Sequence, residues 1–323
     1  MKQGKNKAII ILGPTSSGKS STAIKLAKKF NGEVISADSR QIYRGMDIGT
    51  GKISRDLFPP SKREISIKQR EFSKIYYSNK IPHYMLDIVS PHTDYNVAKF
   101  KKRTQKIIKD ILKRQKLPII CGGTGFWIKT VADNVQLPEV KPNKILRRKL
   151  EKLSADKLFK KLKKLDPQRA KKIDKKNKVR LIRAIEICKQ LGSVPRLNDT
   201  SYKLQITNYK FLQIGIKRSK KILRERIQKN INKRFKQGMI AEVEKLHRDK
   251  KLSWKKIQRF GLAYYWIPLY LQNKISRKEL AEKIYLAEKN YAKRQMTWFK
   301  KDERIAWLRD YQSIEKKVKK FLS

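Results

Sequence analysis

The residues with the most specific chemistry lie near the amino terminus, in the run GPTSSGKS. Two glycines, a lysine and a serine in this run match the phosphate-binding pattern G-x-x-x-x-G-K-[ST]. Glycines let backbone N–H groups converge on phosphate oxygens, the lysine neutralises those oxygens, and the serine hydroxyl can ligate Mg²⁺. The pattern predicts Mg²⁺ at Ser20 and a diphosphate site formed by Gly13, Pro14, Thr15, Ser16, Ser17, Gly18, Lys19 and Ser20.

This loop identifies a diphosphate group but not the molecule that carries it. Kinases, nucleoside triphosphatases and transferases with a diphosphate leaving group can all use such a loop. Residues elsewhere in the chain must therefore indicate which reaction takes place.

Two further groups of polar residues follow apolar runs, at the expected ends of strands. Asp38 follows EVISA and precedes Ser39, Arg40 and Gln41, whereas Thr124 lies in the run CGGTG after PII. Because the carboxyl ends of parallel strands meet at one edge of a sheet, we expect both groups beside the phosphate-binding loop. Asp38 could act as a general base, support a metal ligand or cap a helix, and the glycine run either supplies hydrogen-bond donors or forms only a turn.

Two charged residues have both a structural and a functional interpretation. Asp87 lies in the apolar run MLDIV, where it could bind the metal or cap a helix. Arg226 lies beside an apolar stripe that includes Ile222, Leu223 and Ile227, where an unpaired cation is costly. It either pairs with a carboxylate or reaches the diphosphate.

Short apolar runs separated by helical patterns position these residues. Such runs are typical of strands in a mostly parallel sheet, and we predict strands at Ala8–Leu12, Glu33–Ala37, Met85–Val89, Pro118–Cys121 and Phe211–Ile216. Apolar residues at helical spacing predict helices around Ala23–Phe30, Phe100–Ile111 and Leu181–Cys188, and Ser276 with Glu279 forms a capping-box pattern before a later helix. The expected fold is α/β, a mostly parallel sheet flanked by helices.

Charge divides the chain into regions. Of 323 residues, 82 are Lys or Arg and 28 are Asp or Glu, which gives a net charge of +54. Residues 141–190 hold 20 of the basic residues against 5 acidic ones. We predict the first part of a core at residues 1–137, a basic helical insertion at 138–207, and the rest of the core with C-terminal helices at 208–323. This charge favours a polyanionic partner such as nucleic acid.

Composition excludes several classes of protein. The 13 Tyr, 11 Phe and 5 Trp argue against a disordered chain, and 14 Gly with 11 Pro are too few for a collagen-like one. The early apolar run Ala8–Leu12 is too short for a signal peptide or a membrane span. Cys121 and Cys188 form no paired motif, which indicates reduced cysteines, no structural zinc and a cytoplasmic location.

Seven motifs, in order along the chain, resemble those of the tRNA dimethylallyltransferases, also called isopentenyl-diphosphate:tRNA isopentenyltransferases. The similarity extends from about residue 6 to residue 310, and the segment DSRQIYRGMDIGTGK at 38–52, followed by the other motifs in register, is specific to that family. The other motifs are GPTSSGKS at 13–20, CGGTG at 121–125, DPQRAKKI at 166–173, RLIRAIEI at 180–187, RFKQGMIAEV at 234–243 and KRQMTWF at 293–299.

The resemblance implies a P-loop NTPase-like core that transfers a dimethylallyl group from dimethylallyl diphosphate to N6 of the adenosine immediately 3′ of the tRNA anticodon, with Mg²⁺. It makes Asp38 the general base and Thr124 a catalytic hydroxyl beside the diphosphate, which Arg226 would also contact. It places the anticodon stem-loop against Asp38, Ser39, Arg40, Gln41, Thr124, Arg147, Val179, Arg180, Leu181, Ile182 and Arg183, partly in the basic insertion. We expect a monomer that binds no membrane.

Three other interpretations compete with this one. A small-molecule P-loop kinase would explain Gly13–Ser20 and the sheet, but neither the basic insertion nor the segment 38–52. An adenylate isopentenyltransferase acts on free nucleotides and usually lacks so extended a basic region. A non-enzymatic RNA-binding or nucleotide-switch protein would explain the charge, but not Asp38 and Thr124 near a phosphate-binding loop. Whether ATP also binds in the loop stays open.

Overall fold

The computed structural model of the chain describes residues 6–57, 75–195 and 209–323. The chain divides into two units, one formed by residues 1–133 with 207–323 and the other by residues 134–206. The boundary predicted between residues 207 and 208 lies outside the described residues.

The first unit is built on a seven-stranded sheet. Its strands are β1 (Lys7–Leu12), β2 (Gly32–Ala37), β3 (Tyr76–Ser78), β4 (Ile81–Tyr84), β5 (Leu117–Gly122), β6 (Lys210–Ile216) and β7 (Ala306–Leu308). Their order is β3-β4-β2-β5-β1-β6-β7, and every neighbouring pair is parallel except β3 with β4. This arrangement confirms the predicted α/β fold with a mostly parallel sheet.

Strand β1 shows why continuous apolar runs form the centre of this sheet. Ile9 and Ile11 pack into the core on one face, whereas Ile10 and Leu12 pack into the core on the other. Side chains alternate between the faces of a strand, so a strand that is covered on both faces needs apolar residues at every position. Helices supply that cover.

The helices of the described residues are α1 (Lys19–Lys29), α2 (Val97–Lys113), α3 (Gly125–Ala132), α4 (Lys144–Glu151), α5 (Ala155–Leu165), α6 (Pro167–Lys172), α7 (Lys178–Leu191), α8 (Lys220–Lys236), α9 (Met239–Arg248), α10 (Trp254–Gln258), α11 (Ala263–Leu271), α12 (Arg277–Phe299) and α13 (Tyr311–Leu322). The predicted helices correspond to α1, α2, α7 and α12. The capping box before α12 is confirmed, because the Ser276 hydroxyl accepts the backbone N–H of Glu279 while the Glu279 carboxylate accepts that of Ser276.

The strand predicted at Met85–Val89 is wrong. Strand β4 ends at Tyr84, and Met85 and Asp87 have φ angles of 65° and 54°, which interrupt an extended backbone. Val89 forms only an isolated bridge, with Tyr43. Met85 is buried nonetheless, so the apolar run reflects a buried turn and not a strand.

One charged residue lies within the sheet. Glu33 in β2 is fully buried, and its carboxylate accepts hydrogen bonds from Arg114 at 2.6 and 2.7 Å, Lys116 at 2.9 Å and Tyr84 at 2.7 Å. Burial alone would raise the pKa of Glu33, but these hydrogen bonds and the charge of Arg114 outweigh it and lower the pKa. The carboxylate is therefore ionised and fully satisfied inside the core.

The second unit is helical and has its own apolar core. Helices α4 to α7 pack around Leu158, Leu162, Leu181 and Ile185, all fully buried. All four helices begin after a side chain that accepts a backbone N–H of the first turn; these residues are Asn143, Ser154, Asp166 and Asn177. Across the described residues of both units, no helix has the length and apolar character that a membrane span requires.

Candidate active site

The phosphate-binding loop connects β1 to α1, as the motif predicts. Gly13 and Gly18 have φ angles of 153° and 96°, and helix α1 begins at Lys19 immediately after Gly18. The N–H groups at the start of a helix lack partners within the helix, so this loop presents backbone donors where an anion can bind. Lys19 Nζ donates to the carbonyl of Pro14 at 3.1 Å, which folds the side chain back over the loop.

Two residues that the sequence analysis missed fix this loop from helices far along the chain. Gln295 in α12 accepts the N–H of Thr15 at 2.8 Å through Oε1 and donates to the carbonyl of Gly123 at 2.8 Å through Nε2. Asn230 in α8 donates to Ser16 Oγ at 2.9 Å. Gln295 therefore joins the phosphate-binding loop to the glycine run after β5. Only its position inside the motif KRQMTWF pointed to it.

Arg226 projects from α8 into the same region. Its guanidinium donates to the carbonyl of Ser17 at 3.2 Å, and it lies 3.4 Å from the point that a Cβ on Gly18 would occupy. No salt bridge to Arg226 occurs among the described residues. Of the two interpretations, the geometry favours the diphosphate over a carboxylate partner.

Asp38 and Thr124 meet across the ends of β2 and β5. Asp38 Oδ1 accepts the N–H of Arg40 at 2.9 Å, the N–H of Ser39 donates to Thr124 Oγ1 at 3.1 Å, and the N–H of Thr124 donates to the carbonyl of Ala37 at 3.2 Å. Asp38 thus forms a local turn with one oxygen while its side chain also lines the cavity described below. The two residues come together as predicted from the strand ends.

A cavity of about 560 Å³ joins these elements. Its walls include Lys19 and Ser20 of the loop, Asp38 and Gln41 after β2, and Arg226 of α8. Seven wall residues are Lys or Arg and two are acidic; the basic ones are Lys19, Arg40, Lys52, Arg226, Lys229, Lys233 and Arg234, and the acidic ones are Asp38 and Glu288. The cavity therefore suits an anion at the loop and offers a single carboxylate, Asp38, close to it.

Several cavity groups have shifted pKa values. Burial lowers the pKa of Lys19, although Cys121 and Asp38 oppose this effect. Burial raises the pKa of the Cys121 thiol to about 11 and lowers that of His83 to about 4. At neutral pH the thiol and the imidazole are therefore uncharged. Burial, with Asp38, also raises the pKa of the Tyr291 hydroxyl, which interacts with Thr124 and Arg40.

Other predicted residues have partners within the fold. Thr124 is not among the wall residues of the cavity, and its hydroxyl oxygen accepts a hydrogen bond from the N–H of Ser39. Gln41 Nε2 donates to the carbonyls of Thr50 and Gly51 at 3.3 and 3.4 Å. Asp87 does not line the cavity either, because its carboxylate pairs with Lys52 and with Arg55. Asp87 therefore pairs with cations of the protein and is not a wall residue of the cavity.

The residues of the second unit that were predicted to face RNA differ in how exposed they are. Arg180 and Val179 are exposed at the start of α7. Arg147 and Arg183 are partly exposed, and both pair with the buried carboxylate of Glu186, at 2.7 and 2.6 Å. The pairing of both arginines with one carboxylate was not foreseen from the sequence.

Two of these predicted contacts need correction. The side chain of Leu181 is fully buried and that of Ile182 is 7% exposed, because both pack in the core of the unit. The run RLIRAIEI is helical, so its apolar residues lie on the face that packs against the core while Arg180 remains exposed. Leu181 and Ile182 therefore lie beneath the exposed surface of α7 and do not form it.

The donor set of the cavity fits a magnesium ion. Ser20 supplies a hydroxyl and Asp38 a carboxylate to one cavity, and Mg²⁺ prefers oxygen ligands. No group of three or more His, Cys, Asp or Glu that could hold a metal occurs within residues 6–57, 75–195 and 209–323. An ion that takes one or two protein oxygens and completes its shell with phosphate oxygens and water matches this sparse set.

Comparisons with known proteins show which family the chain is similar to. A family model described as IPP transferase matches residues 41–302. The chain is 38% identical to a tRNA dimethylallyltransferase of Halothermothrix orenii, over 97% of this chain and 91% of that protein. It is similar to a crystal structure of a tRNA isopentenylpyrophosphate transferase from Staphylococcus epidermidis, with a TM-score of 0.65 and 35% sequence identity. The match covers 98% of this chain and all of that one. It is also similar to a eukaryotic dimethylallyltransferase acting on tRNA, with a TM-score of 0.68 and 26% identity, over 91% of this chain and 69% of that one.

Proposed function

The chain belongs to the IPP transferase family and is a prenyltransferase that transfers a dimethylallyl group to tRNA, and we propose that dimethylallyl diphosphate is the donor and that N6 of the adenosine immediately 3′ of the anticodon is the acceptor. One observation carries the proposal. The phosphate-binding loop and Asp38 line a single cavity, so a diphosphate bound at the loop would share that cavity with a carboxylate that can accept a proton.

The leaving group determines why the loop is needed. As the allylic C–O bond breaks, positive charge spreads over the allyl group and negative charge builds on the diphosphate oxygens. Backbone N–H groups of the loop, Lys19 and Arg226 would stabilise the charge on those oxygens, since Lys19 and Arg226 line the cavity beside the loop. Removing one such positioned donor costs about 3–4 kcal/mol of transition-state stabilisation in well-studied enzymes. A Mg²⁺ held by Ser20 would add positive charge on the departing diphosphate.

The acceptor determines why a carboxylate is needed. The lone pair of an adenine amine is delocalised into the ring, so N6 is a weak nucleophile until a proton leaves it. Asp38 would orient the amine and accept that proton as the C–N bond forms. Thr124 and Tyr291 would fix the segment that carries Asp38, since Thr124 accepts the N–H of Ser39 and Tyr291 interacts with Thr124.

An anticodon loop must expose its base to reach this cavity, since a stacked base cannot enter an enclosed site. We infer that the unit of residues 134–206 binds the backbone of the stem-loop, with Arg180 exposed and with Arg147 and Arg183 presented by Glu186. The net charge of +54 supports such an electrostatic contribution. We also propose that the protein is a monomer and that it acts in the cytoplasm.

Product analysis tests the donor and the acceptor together. The protein is incubated with labelled dimethylallyl diphosphate and an anticodon stem-loop that carries adenosine 3′ of the anticodon, and the nucleosides are then identified by mass. We expect one dimethylallyl group on that adenosine, and none when guanosine replaces it. A parallel incubation with labelled ATP and no prenyl donor tests phosphate transfer. Label on another nucleoside, or phosphate transfer alone, would refute the proposal.

A further inference from the structure

One wall of the cavity is a short turn that follows the Asp38 segment. Gly49, Thr50 and Gly51 line the cavity. The turn is closed by backbone hydrogen bonds from Gly51 to Ile48 at 3.0 Å and from Lys52 to Asp47 at 2.9 Å. A turn of this kind leaves the N–H groups at its start without backbone partners, and such groups together form an anion-binding concavity.

This chain fills that concavity with its own carboxylate. Glu242 in α9 accepts the N–H groups of Asp47 at 2.7 Å, Ile48 at 2.7 Å and Gly49 at 3.0 Å. Glu242 Oε1 also accepts the hydroxyl of Tyr264 at 2.7 Å. The ring of Tyr264 lies against the turn so closely that a Cβ on Gly49 would be 2.7 Å from it.

We propose that Glu242 is a positioning residue for the RNA side of the reaction: by binding three consecutive amides of the 47–49 turn, it holds the cavity wall that the entering nucleotide meets. The inference rests on the proposed function. Glu242 itself does not line the cavity and acts through the turn.

The contacts of the turn lead to the segment that carries Asp38. Gln41 Nε2 donates to the carbonyls of Thr50 and Gly51, and Ser36 Oγ donates to Gln41 Oε1 at 3.3 Å. Gln41 is three residues after Asp38, so a displaced turn would remove a support of that segment. Arg234 adds a further tie, since Nη1 donates to the carbonyl of Gly49 at 3.1 Å.

The phosphate-binding loop depends on other contacts. Its side-chain anchors are Gln295 at Thr15, Asn230 at Ser16 and Arg226 at Ser17. None of these three residues contacts Glu242 among the hydrogen bonds of the described residues. Loss of Glu242 should therefore weaken the use of RNA while leaving the binding of dimethylallyl diphosphate intact, an asymmetry that general destabilisation would not produce.

Steady-state kinetics on the full-length enzyme test this asymmetry. The concentrations of stem-loop and dimethylallyl diphosphate are varied separately for wild type, Glu242→Ala, Glu242→Gln and the control Glu244→Gln. Glu244 is an exposed glutamate on the same helix, so its substitution removes one charge without touching the turn. Thermal unfolding of each variant reports whether it is folded at the assay temperature.

We expect Glu242→Ala to raise the KM for the stem-loop about tenfold or more, on the scale of one lost charge-assisted hydrogen bond, with the KM for dimethylallyl diphosphate within about twofold. Glu242→Gln retains a carbonyl acceptor, so its effect should lie between those of Ala and wild type. Glu244→Gln should match wild type. If the alanine variant does not fold, the glutamine variant decides.

Two results would overturn the inference: a wild-type KM for RNA in the folded Glu242 variants, or an equal rise of both KM values. Failure of the proposed function is a different result, because wild-type enzyme would then leave the stem-loop unmodified. If wild type is active and the folded Glu242 variants have wild-type KM values, only the positioning role of Glu242 is refuted.

Discussion

Replacement of Asp38 by Asn isolates the proton acceptor from the local structure that the same residue supports. Asp38 Oδ1 accepts the N–H of Arg40 at 2.9 Å, and an asparagine carbonyl can keep this hydrogen bond. What Asp38→Asn removes is the negative charge and the ability to take a proton from N6. The variant should therefore fold like wild type and bind the stem-loop with a Kd within about threefold of the wild-type value.

The expected loss is in the chemical step. General-base catalysis contributes about 10²–10⁴-fold, so the rate constant should fall by that factor, which corresponds to about 3–5 kcal/mol in the activation free energy. Single-turnover reactions with saturating enzyme measure this step without product release. The variant Asp38→Ala, which loses the hydrogen bond to Arg40 as well, should be slower still or less stable.

A wild-type single-turnover rate for Asp38→Asn would refute the assignment of the base. A large rise in the Kd for RNA with an unchanged rate would instead make Asp38 a binding residue. The alanine variant separates these outcomes from a disturbed turn, because only alanine removes the acceptor for the N–H of Arg40.

Three further perturbations test other parts of the structure. Gln295→Leu removes the two hydrogen bonds that join Thr15 of the phosphate-binding loop to Gly123 after β5. We expect a roughly 30-fold weaker Kd for dimethylallyl diphosphate, about 2 kcal/mol, without a matching change for RNA in equilibrium binding. Lys233→Gln removes a cation from the cavity wall, and it should reduce by about 0.7 the slope of the logarithm of the binding constant for the stem-loop against the logarithm of the salt concentration. The control Lys236→Gln should leave this slope unchanged, because Lys236 does not line the cavity. Glu33→Gln should lower the free energy of unfolding in urea at neutral pH by about 3–5 kcal/mol, since it breaks a buried ion pair with Arg114. The pKa of Glu33 is lowered in the folded state, so the extra free energy of unfolding of wild type over Glu33→Gln should be fully present above pH 4.5, the ordinary pKa of a glutamate. It should disappear as the pH falls through the pKa of Glu33 in the folded protein. A free-energy difference that stays constant down to acid pH would contradict this.

The parts of the site that depend on local sequence could be predicted. The motif Gly13–Ser20 predicts a loop between a strand and a helix, which the structure has between β1 and α1, and the strands before this loop and before Asp38 are continuous apolar runs. The rule that strand ends meet at one edge of a parallel sheet then brought Asp38 and Thr124 together. The same reasoning failed at Met85–Val89, because burial of a turn and burial of a strand produce the same apolar composition.

Contacts between distant segments could not be predicted. Nothing in the sequence around Arg147 indicates that it shares Glu186 with Arg183, since Arg147 lies 39 residues away. Likewise, three amides of one turn bind Glu242 about 195 residues later, and neither segment shows this partner in its composition. Charge patterns predict a basic helical region, but they do not indicate which of its guanidinium groups are already paired.

The hydrogen bond between Thr15 and Gln295 spans 280 residues of sequence. During biosynthesis at about 5–20 residues per second, the ribosome needs about 15–55 s to add the second partner after the first. Strand β6, which pairs with β1, also emerges only after residue 216 has been made, so the nascent sheet has one uncovered edge at β1 for much of that time. The hydrogen bond from Thr15 to Gln295 can therefore form only late in synthesis, and a chain that stalled before α12 would carry the complete Gly13–Ser20 motif without this support.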